Sequence, residues 1–145
     1  MTRETDQELH IGPLHQVLLA VRDLDAAIAF YRDTLGATLI ASFDPPGMAF
    51  FDLGGGTRLY VSSTVEGEDD GVSPRENSVL YFRVDDIDAA TEAVRSRGVT
   101  IEGEPHIVFT DSAGTFGAPG TEEWLAFFRD PEDNLLAFAE RRAAE

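Results

Sequence analysis

Cysteine is absent from the 145 residues, which excludes disulfides, zinc–thiolate sites and a cysteine nucleophile. Lysine is absent too: all 11 basic residues are arginine. No apolar run approaches the roughly 20 residues that a membrane-spanning helix needs. The opening stretch, MTRETDQELH, lacks the hydrophobic segment of a secretory signal, and the expected location is the cytoplasm. Positive charge is scarce, with 27 acidic residues against 11 basic and a formal net charge of −16. Such a chain repels nucleic acid and anionic membranes, both of which require a basic patch. A GC-rich genome accounts for the missing lysine but not for the acid excess. A salt-rich, halophilic cytoplasm accounts for the acid excess, because charges are screened over about 3 Å at 1 M salt.

What the chain has is an internal repeat, the feature to look for first when assigning a fold. Val21, Asp23, Asp25, Ala26, Ala27 and Arg32 recur 63 positions later as Val84, Asp86, Asp88, Ala89, Ala90 and Arg95. Ala49-Phe50-Phe51 and Leu59 recur 77 positions later as Ala126-Phe127-Phe128 and Leu136. Two related modules follow. Each half is short, so the two are expected to share one core.

Local signals give each module the order βαβββ. Residues 15–21 read as an apolar strand. Asp23 caps the next helix and Asp25 sits in its first turn. Leu24, Ile28, Tyr31 and Leu35 form its core stripe, and Gly36 suits its end. Strands are expected at 37–43, 47–53 and 57–63. The second module repeats the plan: a strand at 78–84, a helix over 87–97 capped by Asp86 and ended by Gly98, and strands near 99–109, 122–129 and 134–140. The expected fold class is α+β, a single domain over 13–145 behind a polar tail at 1–12. Module one covers 13–64, an acidic linker containing Glu68, Asp69 and Asp70 covers 65–77, and module two covers 78–141. The Gly- and Ala-rich segment 110–120 reads equally as a cover over a pocket or an ordinary hairpin tip.

The paired modules, with DLDAAIAFYRDTLG in the first, VDDIDAA and RSRG in the second, and FFRDPEDNLLAF at the end, resemble the vicinal oxygen chelate superfamily. This is the glyoxalase I, bleomycin-resistance and extradiol-dioxygenase group. The resemblance implies two curved mixed sheets, related by pseudo-twofold symmetry, that form a cleft. It also implies metal ligands on the first and last strands of each module in the metal-using members. Counting back five residues from Val21 and Val84 gives Gln16 and Val79. The last-strand positions are Tyr60 and Ala137. Val and Ala donate nothing, neutral Tyr is a poor ligand and a lone Gln carbonyl is weak. No cofactor is therefore expected, and a divalent metal is disfavoured.

Strand alternation then suggests what lines the cleft. Gln16, Tyr60, Tyr81 and Arg83 fall on one face, while Val17, Leu19, Leu80 and Phe82 fall on the helix side. Trp124, the sole tryptophan, is a ligand-stacking wall or a core or interface residue. His106 and Glu123 are candidate acid–base residues, with a strand histidine of no catalytic role as the alternative for His106. The leading expectation is metal-independent binding of a small organic molecule by a homodimer. The alternatives are a lyase, isomerase, epimerase or dioxygenase of the same superfamily, with a displaced metal site or metal-free acid–base chemistry, and a scaffold whose cleft is merely core. The fold alone does not choose among them.

Overall fold

The computed structural model describes residues 9–10, 13–63 and 78–144. Most of the polar tail and the acidic linker, including Glu68, Asp69 and Asp70, lie outside the described residues.

Module one comprises β1 (Gln16–Ala20), α1 (Leu24–Ala29), β2 (Thr38–Phe43), β3 (Met48–Asp52) and β4 (Arg58–Ser62). Module two comprises β5 (Leu80–Arg83), α2 (Ile87–Ser96), β6 (Ile101–Asp111), β7 (Thr121–Arg129) and β8 (Leu135–Ala143). Each module builds one four-stranded mixed sheet, ordered β1-β4-β3-β2 and β5-β8-β7-β6. In each, the first and last strands pair in parallel and the other pairs are antiparallel.

The repeated residues do the same work twice. Asp23 accepts a hydrogen bond from the Ala26 N–H at 3.0 Å, and Asp86 accepts one from the Ala89 N–H at 3.1 Å. These bonds satisfy donors that the helix itself leaves unpaired. Gly36 and Gly98 follow the helices at φ of 80° and 93°, a conformation that costs a side-chain-bearing residue dearly. The two helices differ in one respect. After Ala29 the first helix widens into a π-helical turn over Phe30–Thr34, in which the Leu35 N–H reaches the Phe30 carbonyl at 3.0 Å.

One hydrophobic cluster joins the modules, drawing Leu19, Tyr31 and Phe51 from the first and Ile87, Phe128 and Leu136 from the second. Val17, Leu80 and Phe82 pack against it, as alternation requires. A buried polar tie reinforces the junction. Tyr31 Oη donates to Asp130 Oδ2 at 2.7 Å, and Asp130 also accepts from the Glu132 and Asn134 N–H groups and from Asn134 Nδ2. The Glu132 carboxylate in turn accepts from the Arg22 and Asp23 N–H groups at 2.7 and 2.6 Å. The β7–β8 turn of module two thus caps the entry to the helix of module one.

The modules are not equal in length. At the 77-residue offset, β3 matches only Leu125–Arg129 of β7, and β4 matches only Leu135–Ala139 of β8. Residues Thr121–Trp124 and Glu140–Ala143 extend the second sheet beyond the repeat and pair with each other. The extension was not expected past residue 140, and it carries the candidate site.

Candidate functional site

Each sheet turns one face to the helices and leaves the other open. On the open face of module one, Gln16 and Tyr60 are half-buried and Leu18 is 50% exposed. Gln16 Oε1 accepts from Arg58 Nε at 3.1 Å, and the Tyr60 ring stacks on Phe50 with centroids 4.7 Å apart. On the open face of module two, Tyr81 is 56% exposed, and its ring meets Phe127 edge-on at 6.3 Å.

The extended end of the second sheet holds a pocket of about 470 Å³. Tyr81 and Arg83 enter from β5, Val108 and Phe109 from β6, Glu123 and Leu125 from β7, and Arg141 from β8; Phe116 closes it from the β6–β7 connection. Phe116 and Phe109 meet edge to face at 5.8 Å. Aromatic and aliphatic walls with a few converging charges are the usual make-up of a small-molecule pocket. Among the expected site residues, Tyr81, Arg83 and Glu123 are brought together here. Gln16 and Tyr60 are not among the residues lining it.

Arg141 organises the floor. Its guanidinium donates to Asp111 Oδ2 at 2.9 Å, to Glu123 Oε1 at 3.3 Å and to Thr121 Oγ1. Asp111 is 1% exposed and also accepts the Thr115 and Phe116 N–H groups at 2.7 and 2.8 Å. Burial alone would raise the Asp111 carboxyl. The N–H groups of Phe116 and Thr115, with the Arg141 guanidinium, outweigh it and hold the group below its ordinary value. Gly117 lets the loop backbone lie against Arg141: a Cβ there would stand 3.1 Å from Nη2. Segment 110–120 therefore forms a pocket wall fastened at Asp111. Neither Asp111 nor Arg141 stood out in the sequence. They lie 30 residues apart, beyond the repeat, and read there as ordinary surface charge.

The other candidates lie elsewhere. Trp124 is on the helix side of β7, half-buried against the core. Its Nε1 donates to Glu122 at 2.9 Å, and Arg142 covers its ring at 4.1 Å. Alternation sends Glu123 and Trp124 to opposite faces, so Trp124 is no wall of this pocket. His106 is exposed, with its Nδ1 2.7 Å from the Glu104 carbonyl. It pairs across the sheet with Leu125, whereas Glu123 pairs with Phe109. Glu123 has Arg141 as its charged partner and does not form a couple with His106 among the described contacts.

The family's four ligand positions offer a poor donor set. Ala137 is fully buried and Val79 is a half-exposed hydrocarbon. The Gln16 carbonyl is already engaged by a cation, Arg58. Among the described residues no group of three or more His, Asp or Glu side chains could hold a metal. The residues at these positions do not fit a divalent ion. A second hollow, of about 340 Å³, lies where Arg97, Glu102 and Arg129 meet the β7–β8 turn. Arg129 holds Glu102 at 2.8 Å and Arg97 holds the Thr34 carbonyl at 2.7 Å, so its cations are already engaged. No helix among the described residues is long and apolar enough to cross a membrane.

Comparison with known proteins agrees with this geometry. The family model for the glyoxalase/bleomycin resistance protein/dioxygenase superfamily matches residues 13–138. The chain is 31% identical over 137 residues to a lactoylglutathione lyase of Haemophilus influenzae, covering 88% of this chain and 92% of that one. It is 28% identical over 139 residues to YraH of Bacillus subtilis, covering 85% and 94%. Among solved structures, TnmS3, an antibiotic binding protein from a Streptomyces species, superposes with a TM-score of 0.65 at 22% identity, over 92% of this chain and 98% of that one. Two mixed sheets in the same strand order, joined by one core and matched along nearly their whole length, place this chain in the glyoxalase/bleomycin resistance protein/dioxygenase superfamily.

Proposed function

We propose that the protein binds a small, partly aromatic organic molecule, without a metal, in the pocket at the extended end of the second sheet. The observation that carries this reading is the convergence of Tyr81, Phe109, Phe116 and Leu125 with Arg83, Arg141 and Glu123 around about 470 Å³. Two further facts support it. The superfamily's ligand positions hold Val79 and Ala137, and a solved structure of the same fold is an antibiotic binding protein. The test uses N-phenyl-1-naphthylamine, a neutral dye that brightens in apolar surroundings. Saturable binding to the native protein that weakens at least fivefold in Tyr81→Ala supports the reading. No binding, or binding indifferent to Tyr81, refutes it.

The lactoylglutathione lyase relative favours a second reading, catalysis. Glu123 is the acid–base candidate that reaches the pocket, and one of its carboxylate oxygens is already engaged by Arg141 at 3.3 Å. We therefore rank binding first.

The open faces also favour a homodimer. Leu18, Ile40, Phe43 and Tyr81 are each between 50% and 56% exposed. Apolar faces of that extent call for a partner surface, and a second copy brings a matching pair.

A further inference from the structure

We infer that the ligand is an organic anion, its aromatic or apolar body among Tyr81, Phe109 and Phe116 and its acid group on Arg83. The inference rests on the pocket reading above and adds the chemical class of what enters. Its ground is the contrast between Arg83 and the other described arginines. In a chain with 27 acidic residues, those arginines all hold an oxygen. Arg95 holds Glu104 at 2.7 Å, Arg129 holds Glu102 at 2.8 Å, Arg141 holds Asp111 at 2.9 Å, and even Arg97 and Arg58 hold a carbonyl or amide oxygen. Arg83 has no hydrogen-bond or ion-pair partner among the described residues, is exposed, and lines the pocket. It lines the adjoining hollow of about 240 Å³ as well, again with Tyr81, Glu123 and Arg141.

The rest of the pocket's charge is internally satisfied. Arg141 is shared by Glu123 at 3.3 Å and Asp111 at 2.9 Å, and the buried Asp111 is further compensated by two N–H groups. That leaves the Arg83 guanidinium, a planar fork of donors matched to a carboxylate, sulfonate or phosphate. The formal charge of −16 opposes anions at long range, but at physiological salt its reach is about 8 Å. The nearest unpaired charge decides, and it is positive. A cationic ligand would instead have to displace Arg83 or use the carboxylate that Arg141 already holds.

The test compares two dyes of one skeleton. 8-Anilinonaphthalene-1-sulfonate is N-phenyl-1-naphthylamine with an added sulfonate. Both are titrated against native protein, Arg83→Gln, Arg83→Lys and Glu123→Gln, with circular-dichroism melts to establish folding. The native protein is expected to bind the sulfonate at least tenfold more tightly than the neutral dye. Arg83→Gln, at an exposed position, should weaken the sulfonate roughly tenfold to a hundredfold, as loss of a charged hydrogen bond does, and by a clearly larger factor than the neutral dye. Arg83→Lys should recover part of the loss, and Glu123→Gln should tighten the sulfonate by removing a negative charge from the pocket. Sulfonate affinity unchanged in Arg83→Gln, with both dyes still bound, overturns this inference and leaves the pocket reading standing. Failure of both dyes to bind native protein overturns both.

Discussion

Removing one hydroxyl should loosen the junction between the modules, and in a way that pH can read. Tyr31 is 1% exposed and donates to Asp130 Oδ2 at 2.7 Å. Tyr31→Phe keeps the ring, its contact with Phe51 at 6.0 Å and the packing. It removes only a hydrogen bond to a carboxylate, worth about 1.5–3 kcal/mol. Asp130 keeps three other donors, so the expected cost is about 2 kcal/mol. At a urea slope of about 2 kcal/mol per molar, the unfolding midpoint should fall by about 1 M. The second signature is alkaline. Burial first, then the Asp130 charge and the hydrogen bond to it, push the Tyr31 phenol well above its ordinary value of 10.0. A group whose folded value is raised stabilises the fold fully below its unfolded value and loses that contribution as pH rises towards the folded one. Above pH 10 the unfolded chain releases a proton that the folded chain keeps. Native protein should then lose about 1.4 kcal/mol per pH unit more than Tyr31→Phe. The assay is a set of urea melts at pH 8, 10, 10.5 and 11 on both proteins. Parallel stability curves, or a midpoint shift below about 0.3 M at pH 8, would refute the buried tie.

Tyr81→Ala should cost under about 1 kcal/mol of stability while weakening dye binding, because Tyr81 is 56% exposed. Phe82→Ala should cost about 2–3 kcal/mol, below the usual range for a fully buried Phe because Phe82 is half-buried, and leave dye binding within twofold; denaturant melts with titrations read both. Asp23→Ala and Asp86→Ala should each cost about 1 kcal/mol in chemical melts, and by similar amounts, because the two caps are copies at 3.0 and 3.1 Å. Sedimentation across a salt series should find a dimer that strengthens as salt screens the −16 carried by each chain; a monomer at every salt concentration is the contrary result.

Much of the fold was legible because each rule had two chances to act. Asp23 and Asp86 cap, Gly36 and Gly98 stop, and both first strands alternate, so a pattern ambiguous in one module was resolved by its copy. The π-helical turn was not legible. Leu24, Ile28, Tyr31 and Leu35 fit a regular helix, and nothing in their spacing marks the widened bond from Leu35 to Phe30 around Tyr31. Part of the candidate site was legible by parity: Tyr81 and Arg83 share a face of β5, whereas Glu123 was singled out through a couple with His106 that is not among the described contacts. The rest lies in the part of module two that has no copy. Glu140-Arg-Arg-Ala143 is charged and reads as the end of a strand, yet β8 continues through it because β7 is there to pair. His106 could not be placed because β6 shifts register repeatedly along its pairing with β7. Trp124 drew notice as the sole tryptophan, although its neighbour Glu123 already implied the opposite face.

The most direct test of metal-independent binding is a titration of chelator-treated protein, checked by elemental analysis, with N-phenyl-1-naphthylamine before and after adding manganese, nickel or zinc. Binding at one site per chain, with an affinity that changes by less than twofold on adding any of the three ions, is the predicted result. Binding that appears only when a metal is restored would contradict it.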